Sequence, residues 1–567
     1  MRNTIRLALA LSAALLALAP VAAAKPGDVN VQLLALNDFH GHIGPETPGT
    51  IKPFDTGART DPAVQAGGAA YLATHIRALE RSNPNSMFVS AGDLIGASPL
   101  ISALFHDEPT IEAMNLMGLD LNAVGNHEFD EGATELRRMQ DGGCHPIDGC
   151  YDGPDADALP DGFGGAKFGF LAANVVDTKT GDPIFAPYAI RKFNGIDIGF
   201  IGMTLEGTPD IVSQAGIQGL SFLDEADAAN RWASVLREQH GVKAIVVLLH
   251  EGGAQALPFG INDCNGLTGP IIDIVDRTTD DVDLFITGHT HQPYNCVLDG
   301  RPVSSSASFG RLITDIDLTL DAASQDVSSV SINNQVVTQT VKPDAQVDGL
   351  VEHYRALAAP LANRVIGWSD GQLLRAQVVD ESPLGNVIAD AQLASTKSAA
   401  GAVAAFMNPG GIRADLNAGA VGPAEVTYGE AFTVQPFGNS LVTMELTGAQ
   451  IDTLLEQQWC TQAAGAPRIL SVSAGFTYTW DGAVPQATCD KVSNIAIGGV
   501  PVDPAATYRI TVNSFLADGG DRFFVLREGA NRAGGALDLD AFEAHFAGTS
   551  QAAPLPTPAL DRITRVN

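Results

Sequence analysis

The sequence predicts an α/β fold, in which strands and helices alternate along the chain. Apolar runs of strand length recur, such as SMFVSAGD and AIVVLLHEGG, and each ends on a polar side chain. Stretches with helical periodicity lie between these runs, for example at residues 68–81 and 225–239. In folds of this kind the carboxyl ends of neighbouring strands meet at one edge of the sheet, so we expect the chemistry to collect there.

Five of the strand-like runs end on side chains that often carry chemistry. In chain order they close on Asp38, His40 and His42, on Asp93, on Asn126 and His127, on His250, and on His289 and His291. Any single end has a simpler explanation, since Asn126 and His127 after a glycine fit a surface turn with an acidic helix cap behind it. Five such ends together need a common partner, because unpaired buried polar groups cost several kcal/mol each. A pair of metal ions is the most economical partner.

The chain has 567 residues, which is too many for one hydrophobic core, so two or three domains are expected. A helical stretch beginning at Asp344 indicates a connector, and mixed helix and strand with glycine-rich turns follows it. We therefore predict a first domain at residues 25–342, a linker helix at 343–364 and a second domain at 365–567.

The chain is strongly acidic. It has 33 Lys and Arg against 65 Asp and Glu, a formal net charge of −32. This charge argues against binding long nucleic acid through a basic groove. A small anionic substrate stays possible where bound metal ions reverse the local field.

The first residues have the pattern of a secretory signal peptide. Arg2 and Arg6 precede the apolar run LALALSAALLALAPVAAA, and cleavage is expected after Ala24, so residues 1–24 are taken as the leader. A membrane anchor is the alternative, but the run contains Pro20 and closes on small residues. We therefore expect export to the periplasm or the extracellular space, without a membrane anchor.

Six cysteines suit an oxidising compartment. Six cysteines allow fifteen pairings, and the simplest set joins near neighbours in the chain. None is spaced as C-x-x-C, which disfavours a zinc ribbon or a redox motif. The three expected disulfides are Cys144–Cys150, Cys264–Cys296 and Cys460–Cys489.

Taken in order, the motifs resemble a known family. The calcineurin-like metallophosphoesterases carry similar segments to NDFHGH, AGDLIG, GNHEFD, LLHEGG and TGHTH. Together with NPGGIR, QPFGN and SFLADGGDRF, the set is similar to the secreted 5'-nucleotidase and UDP-sugar hydrolase family over almost the whole chain after the leader. The resemblance implies a four-layered α/β/β/α metallophosphoesterase domain followed by a mixed α+β nucleotide-binding domain, joined by a helix.

The resemblance also implies two divalent metal ions. One would be held by Asp38, His40, Asp93 and His291, and the other by Asp93, Asn126, His250 and His289. Two cations about 3.5–4 Å apart can bind the oxygens of a phosphate ester, activate a water molecule and stabilise in-line displacement. Such ligands suit Zn, Mn, Co or Fe, so the identity of the metal stays open.

His127 has a different role in the resemblance. It would lie next to the phosphate without binding metal, oriented by Asp130, and could stabilise the transition state or protonate the leaving alkoxide. The alternatives are that His127 binds a metal ion itself, or that it supports a side chain that does. Glu128 is expected at the surface or in a helix cap, and His42 as a possible support for a ligand.

The substrate residues implied for the second domain come from its glycine-rich segments. Asn408 and Arg413 would contact substrate, Phe437 and Phe515 would sandwich the base, and Asp521 would bind the ribose hydroxyls. Core packing is the alternative for the two phenylalanines. Many members carry an arginine a few residues before LGN, where this chain has VVDESPLGN, with Arg375 further back. We therefore expect Arg413 to be the main phosphate cation of this domain.

The function implied is that of an exported phosphohydrolase removing phosphate from nucleotides by attack of a metal-activated water. UDP-sugars, 2',3'-cyclic nucleotides or a sulfate ester intermediate, as in a related thiosulfate-oxidising branch, are alternative substrates for the same site. A non-catalytic exported binding protein is the alternative of another class. The expected partner is a small nucleotide, and the oligomeric state stays open.

Overall fold

The computed structural model describes residues 27–46, 49–58, 60–150, 162–213, 216–376, 380–463 and 465–567. The predicted leader at 1–24 lies outside the described residues. The predicted α/β class is confirmed, since strands and helices alternate through the N-terminal part of the chain. Its strands are β1 (Val29–Leu36), β2 (Thr50–Ile51), β3 (Phe54–Asp55), β4 (Val64–Gln65), β5 (Ser86–Ser90), β6 (Leu121–Ala123), β7 (Gly169–Leu171), β8 (Val175–Asp177), β9 (Tyr188–Phe193), β10 (Ile196–Thr204), β11 (Leu220–Phe222), β12 (Ala244–His250), β13 (Phe259–Gly260), β14 (Leu284–Thr287), β15 (Pro293–Leu298), β16 (Arg301–Ser306), β17 (Leu312–Asp321) and β18 (Asp326–Val336). Its helices are α1 (Ala69–Glu80), α2 (Leu100–Ala103), α3 (Glu108–Met117), α4 (Ala133–Asp141), α5 (Glu225–His240), α6 (Ile271–Arg277) and α7 (Ala345–Ala362).

Two large sheets organise this part. One has the strand order β18-β17-β1-β5-β6-β7, and the other has the order β15-β16-β14-β12-β10-β9. In both, the central strands run parallel. Antiparallel strands form one edge of the first sheet and both edges of the second. The five strands predicted to end on functional side chains are β1, β5, β6, β12 and β14, and all five belong to the parallel parts of the sheets.

Side-chain alternation shows that the two sheets are stacked between helices. In β1, Leu33 joins a core shared with Val246 of β12, whereas the next residue, Leu34, joins a core with helices α1 and α3. In β12, Val247 likewise turns to a third core with α5 and α6. The order of layers is therefore α/β/β/α, as predicted. Strands covered on both faces are apolar throughout, and every residue of β12 is buried.

Local signals position the helices as the sequence predicts. Helix α5 begins after Asp224, whose side chain accepts a hydrogen bond from the Asp227 amide, and ends at Gly241 in the left-handed region (φ 71°). Helix α7 begins after Asp344, which caps it in the same way and also pairs with Arg77 of α1. The apolar face of α7 packs against the core of α1 and α3, so the connector helix is fixed to the N-terminal part of the molecule.

The C-terminal part is mixed α and β. It contains a five-stranded sheet of order β23-β20-β27-β22-β28 and a four-stranded sheet of order β26-β25-β24-β29. The strands are β19 (Val365–Ser369), β20 (Ala404–Met407), β21 (Ala424–Thr427), β22 (Ser440–Thr447), β23 (Ser471–Val472), β24 (Phe476–Asp481), β25 (Val492–Ile497), β26 (Val500–Pro501), β27 (Thr507–Asn513), β28 (Ala530–Leu537) and β29 (Ile563–Val566). The helices are α8 (Pro383–Ala400), α9 (Tyr428–Val434), α10 (Gly448–Cys460), α11 (Ser514–Ala517) and α12 (Asp538–Phe546).

The cysteines pair as predicted. Disulfides join Cys144 to Cys150, Cys264 to Cys296 and Cys460 to Cys489. Across the described ranges, none of the helices combines the length and the apolar character that crossing a membrane requires.

Candidate active site

The seven side chains predicted as metal ligands converge at the carboxyl ends of the parallel strands. Two groups have ligand atoms close enough to share an ion: Asp38, His40 and His291, and Asp93, His250 and His289. The amide oxygen of Asn126 lies 3.0 Å from the Nδ1 atom of His289, which places Asn126 at the second group. Tertiary structure therefore brings together side chains as far apart in the chain as His40 and His291, which are separated by 251 positions.

Asp93 lies between the two groups. Its Oδ2 atom is 2.9 Å from His250 Nε2 in one group and 3.6 Å from His40 Nε2 in the other. Asp38 Oδ1 lies 3.2 Å from His291 Nε2. The carboxylate of Asp93 is thus positioned to contact both groups.

Ring nitrogens in the cluster face each other in a way that favours a positive charge between them. His40 donates its Nδ1 proton to the carbonyl oxygen of Gly96, 2.8 Å away, which leaves the Nε2 lone pair directed inward. The Nε2 atom of His40 lies 3.1 Å from the Nε2 atom of His291. Burial lowers the pKa of His291 to about 4, so this ring is neutral at neutral pH. A cation between the two nitrogens would satisfy both.

The surroundings of His250 also favour a positive charge. Its Nδ1 atom donates to the carbonyl oxygen of Ala91, while its Nε2 atom has no aligned hydrogen-bond partner among the described residues, although Asp93 is close. Burial lowers the pKa of His250, but the charges of Asp93 and Asp38 outweigh burial and raise it to about 10. The acidic side chains therefore favour positive charge at this point, and the donor set of imidazole, carboxylate and amide fits divalent metals.

The backbone of the cluster is strained in a way often seen at functional sites. Non-glycine residues rarely adopt positive φ, and each instance costs about 1–3 kcal/mol. Close packing adds a further constraint, because a side chain at Gly125 would place its Cβ atom 2.2 Å from Asp93 Oδ1. The predicted ligands with positive φ, between 49° and 69°, are Asp38, His40, Asp93, His289 and His291.

The expectation that Glu128 lies at the surface is wrong. Glu128 is buried, and its carboxylate accepts hydrogen bonds from the backbone amides of Asp93, Leu94 and Gly125 at 2.7–2.9 Å. Burial, with the nearby charge of Asp93, raises its pKa to about 7. Residues 127–129 form a single 3-10 turn that carries this side chain inward. Glu128 therefore joins the loop holding Asp93 to the loop holding Asn126.

The side chain of His127 contacts Asp130, whereas that of Asn126 contacts His289. Its Nδ1 atom lies 2.8 Å from Asp130 Oδ2, and its backbone amide donates to Asp93 Oδ1. Burial lowers the pKa of His127, but the charges of Asp130 and Asp93 outweigh burial and leave the pKa above its ordinary value. A ligand atom of His127 also lies within reach of a group formed with His40 and Asp93, so the geometry allows the alternative in which it binds metal.

A cavity of about 250 Å³ connects this cluster with the C-terminal part of the chain. The N-terminal part contributes Asn126, His127, Asp130 and His289 to its wall. The opposite wall includes every residue predicted to bind substrate: Asn408, Arg413, Phe437, Phe515 and Asp521. The two predicted sites thus form one continuous space.

Aromatic and cationic groups connect the two walls. The Phe437 ring lies nearly parallel to the His127 ring, with centroids 5.7 Å apart, and the Arg413 guanidinium lies 5.7 Å from the Phe437 centroid. Burial lowers the pKa of the Arg413 guanidinium, and the negative charges of Asp130, Asp93 and Asp38 oppose that shift. Phe515 is half-buried and also packs on the C-terminal core, with its ring against Gly520. Phe515 therefore combines packing with a place in the cavity wall.

A polar network forms part of the cavity wall. Asn408 donates from Nδ2 to Asp521 Oδ2 at 2.8 Å and accepts from Asn513 at 3.0 Å. Arg468, which no sequence motif indicated, pairs with the other oxygen of Asp521 and lines the cavity. Its segment APRIL carries no pattern that could have marked this position. Arg375 contacts the site indirectly, since it donates to the carbonyl oxygen of Arg413 at 2.6 Å.

Comparison with known proteins places the chain in a family. The family model for calcineurin-like phosphoesterases matches residues 31–293, and the model for the 5'-nucleotidase C-terminal domain matches residues 365–528. The chain belongs to the 5'-nucleotidase family. The resemblance inferred from the motifs is confirmed.

Individual relatives of this 5'-nucleotidase family member include one 5'-nucleotidase precursor and two proteins with other names. The structure of a 5'-nucleotidase precursor from Thermus thermophilus superposes with a TM-score of 0.74 and 27% identity, covering 95% of this chain and 100% of that one. The endonuclease YhcR of Bacillus subtilis is 32% identical over 86% of this chain. The cell wall protein Lmo0130 of Listeria monocytogenes is 32% identical over 89%. The chain spans only 37% and 65%, respectively, of the lengths of these two proteins.

Proposed function

We propose that this protein is an exported 5'-nucleotidase that removes phosphate from nucleotides at a two-metal centre. The observation that carries the proposal is the single cavity, in which the cluster at the strand ends faces the five predicted substrate residues. A mononucleotide has both a phosphate and an aromatic base, and this cavity is lined both by a predicted metal centre and by aromatic side chains.

In this proposal Asp38, His40, Asp93 and His291 hold one ion, and Asp93, Asn126, His250 and His289 hold the other. Two bound ions supply positive charge for the phosphate oxygens and a nucleophile at neutral pH. The chain itself supplies the geometry: backbone carbonyls fix the rings of His40 and His250, and Glu128 holds two ligand loops together. Asp93 is shared because its carboxylate contacts both groups.

His127 and Arg413 act on the phosphate and the leaving group. His127 donates Nδ1–H to Asp130, which leaves the proton on Nε2 available when the ring is charged. That proton can stabilise or protonate the departing ribose oxygen. Arg413 adds a fixed cation at the same end of the cavity. On the facing wall of the cavity, Asp521 and Asn408 are placed to bind the ribose, and Phe437 and Phe515 to stack on the base.

Export is proposed from the leader pattern and the three disulfides, which persist in oxidising compartments. UDP-sugars and 2',3'-cyclic nucleotides are the competing substrates. Similarity to a protein named an endonuclease adds polynucleotides to the competing substrates. A net charge of −32 opposes binding of such long polyanions. Phosphate release from AMP, GMP, CMP, UDP-glucose, 2',3'-cyclic AMP and single-stranded DNA tests the proposal, which requires the 5'-mononucleotides to be the best substrates.

Stacking on the base predicts a substrate-dependent effect of Phe437→Ala. The KM for AMP should rise about tenfold, since losing one stacked face costs about 1.4 kcal/mol. Hydrolysis of p-nitrophenyl phosphate, which has no base, should be almost unchanged. Phe524→Ala is the matched control, because Phe524 is an exposed phenylalanine contacting Arg527. Equal losses on both substrates would show that Phe437 serves packing and not base binding.

The contact between His127 and Asp130 predicts a shift in the pH profile. The raised pKa keeps His127 protonated towards neutral pH, and its contribution is lost as pH rises through that pKa. Asp130→Asn removes a negative charge beside the ring, so the basic limb of the kcat profile should move about 1–3 units to lower pH. The control is Asp141→Asn, which changes an exposed acid at the end of α4. If the basic limb does not move, His127 is not the proton donor.

A further inference from the structure

A second cluster of histidine and acidic side chains lies outside the proposed active site. Three separate segments form it: the turn before α3, the start of α4, and the loop closed by the Cys144–Cys150 disulfide. None of these side chains lines the cavity that holds the proposed substrate site. The members of the cluster are His106, Glu131, Glu135, His145 and Asp148.

The geometry of this cluster is close. One possible ligand atom from each of His106, Glu131, Glu135 and His145 lies within 4.8 Å of all the others. His106 Nδ1 lies 2.8 Å from Glu131 Oε2, and the rings of His106 and His145 stack with centroids 3.7 Å apart. The His106–Glu131 distance is similar to one in the active-site cluster, where His250 Nε2 lies 2.9 Å from Asp93 Oδ2.

The other ring nitrogen of His106 has the partner expected of a metal ligand. Nε2 lies 2.9 Å from Asp148 Oδ2. Histidines that bind metal through one nitrogen usually donate the other N–H to a carboxylate or carbonyl, which fixes the tautomer and the ring orientation. Both histidine side chains are mostly shielded, with 16% exposure for His106 and 11% for His145, although the carboxylates of Glu131 and Asp148 reach solvent.

Charge also favours a cation here. Glu135 and Glu108 share one arginine, Arg138, at 2.6 Å each. Glu131 and Asp148 add two further carboxylates, and both of them contact His106. The hydrogen bond to Glu131 raises the pKa of His106 to about 9, so a proton partly offsets the excess negative charge in the absence of metal. A divalent ion would offset it more fully.

We propose that His106, Glu131, Glu135 and His145 form a third divalent-cation site, of the zinc class, in which Asp148 orients His106. Two imidazoles with carboxylates suit Zn²⁺ or Co²⁺ better than Ca²⁺ or Mg²⁺, which prefer oxygen ligands. An ion there would tie the disulfide loop to the turn that contains Glu131. Because Glu131 directly follows Asp130, the partner of His127, the site would stabilise the segment that carries the proposed proton donor.

Metal counting tests this site independently of the active site. The full-length protein is stripped of metal with a chelator, equilibrated with Zn²⁺ alone and passed through a desalting column to remove unbound metal. Elemental mass spectrometry then gives the number of zinc ions bound per chain. His106→Ala should bind one ion fewer per chain than the unmodified protein. His240→Ala is the matched control and should bind the full number, since this exposed histidine contacts Tyr188 elsewhere.

Two further proteins keep the test decisive. Glu131→Gln preserves the volume of the side chain and should also lose about one ion, which excludes misfolding of His106→Ala as the cause. Introducing His106→Ala into an Asp93→Ala background should remove one ion whatever number the active site binds. If His106→Ala, Glu131→Gln and the unmodified protein all bind the same number of ions, the cluster is an ion-pair network and the proposal is overturned.

Discussion

Replacing Asp93 with alanine should reduce AMP hydrolysis by more than about 10³-fold. Asp93 Oδ2 faces His250 and His40, so one truncation removes a ligand from both proposed ions at once. Loss of a single hydrogen-bond donor that stabilises transition-state charge already costs about 10²–10³ in kcat, and loss of a shared ligand should cost more. The Asp93 carboxylate also accepts a hydrogen bond from the backbone amide of His127, so the substitution would remove a contact that positions the proposed proton donor.

Phosphate release from AMP at saturating metal measures this effect. Asp197→Ala is the matched control, because the Asp197 carboxylate pairs with Lys192 at 2.9 Å, on the distant strand pair β9 and β10. The control should retain full activity. Near-normal turnover by the Asp93→Ala protein would refute a role for this carboxylate in holding the ions.

Substitutions at the adjacent residues Asn126 and His127 should separate metal binding from proton donation. His127→Ala should lower kcat for AMP by about 10²–10⁴, the usual contribution of a positioned acid, and leave metal content nearly normal. Asn126→Ala should lower metal occupancy, because it removes an amide oxygen that lies 3.0 Å from His289 Nδ1.

Metal content and steady-state kinetics on the same preparations decide between the roles. A leaving group that needs no protonation, such as p-nitrophenolate, should be much less sensitive to His127→Ala than AMP is. Equal loss of metal in both variants would show that His127 is a ligand in a group with His40 and Asp93, which the distances also allow.

The strand ends could be predicted from the sequence because the signal is local. An apolar run that closes on Asp, His or Asn predicts both a buried strand and the position of its polar end, and β1, β5, β6, β12 and β14 follow that rule. Parallel pairing then brings the ends together within each sheet, and stacking of the two sheets joins the ends of β1, β5 and β6 to those of β12 and β14. The layer order was implied by family resemblance and is confirmed by the alternation of Leu33 and Leu34 between two cores.

Residues whose roles depend on contacts between distant segments could not be predicted. The sequence predicts Glu128 at the surface or in a helix cap, because it does not show that a 3-10 turn directs the side chain to the amides of another loop. Arg468 lies in a segment without a motif, and its place beside Asp521 depends on the packing of the C-terminal domain. The cluster at His106 joins three segments that share no pattern in the sequence.

The central claim is that one carboxylate serves two ions at the strand ends, and metal counting tests it most directly. The unmodified protein and the Asp93→Ala variant are stripped of metal, reloaded with Mn²⁺ or Zn²⁺ and analysed side by side for bound ions per chain. We expect Asp93→Ala to bind two ions fewer than the unmodified protein and to release almost no phosphate from AMP. Equal metal content in the two proteins, or full AMP hydrolysis by protein that holds no metal, would contradict it.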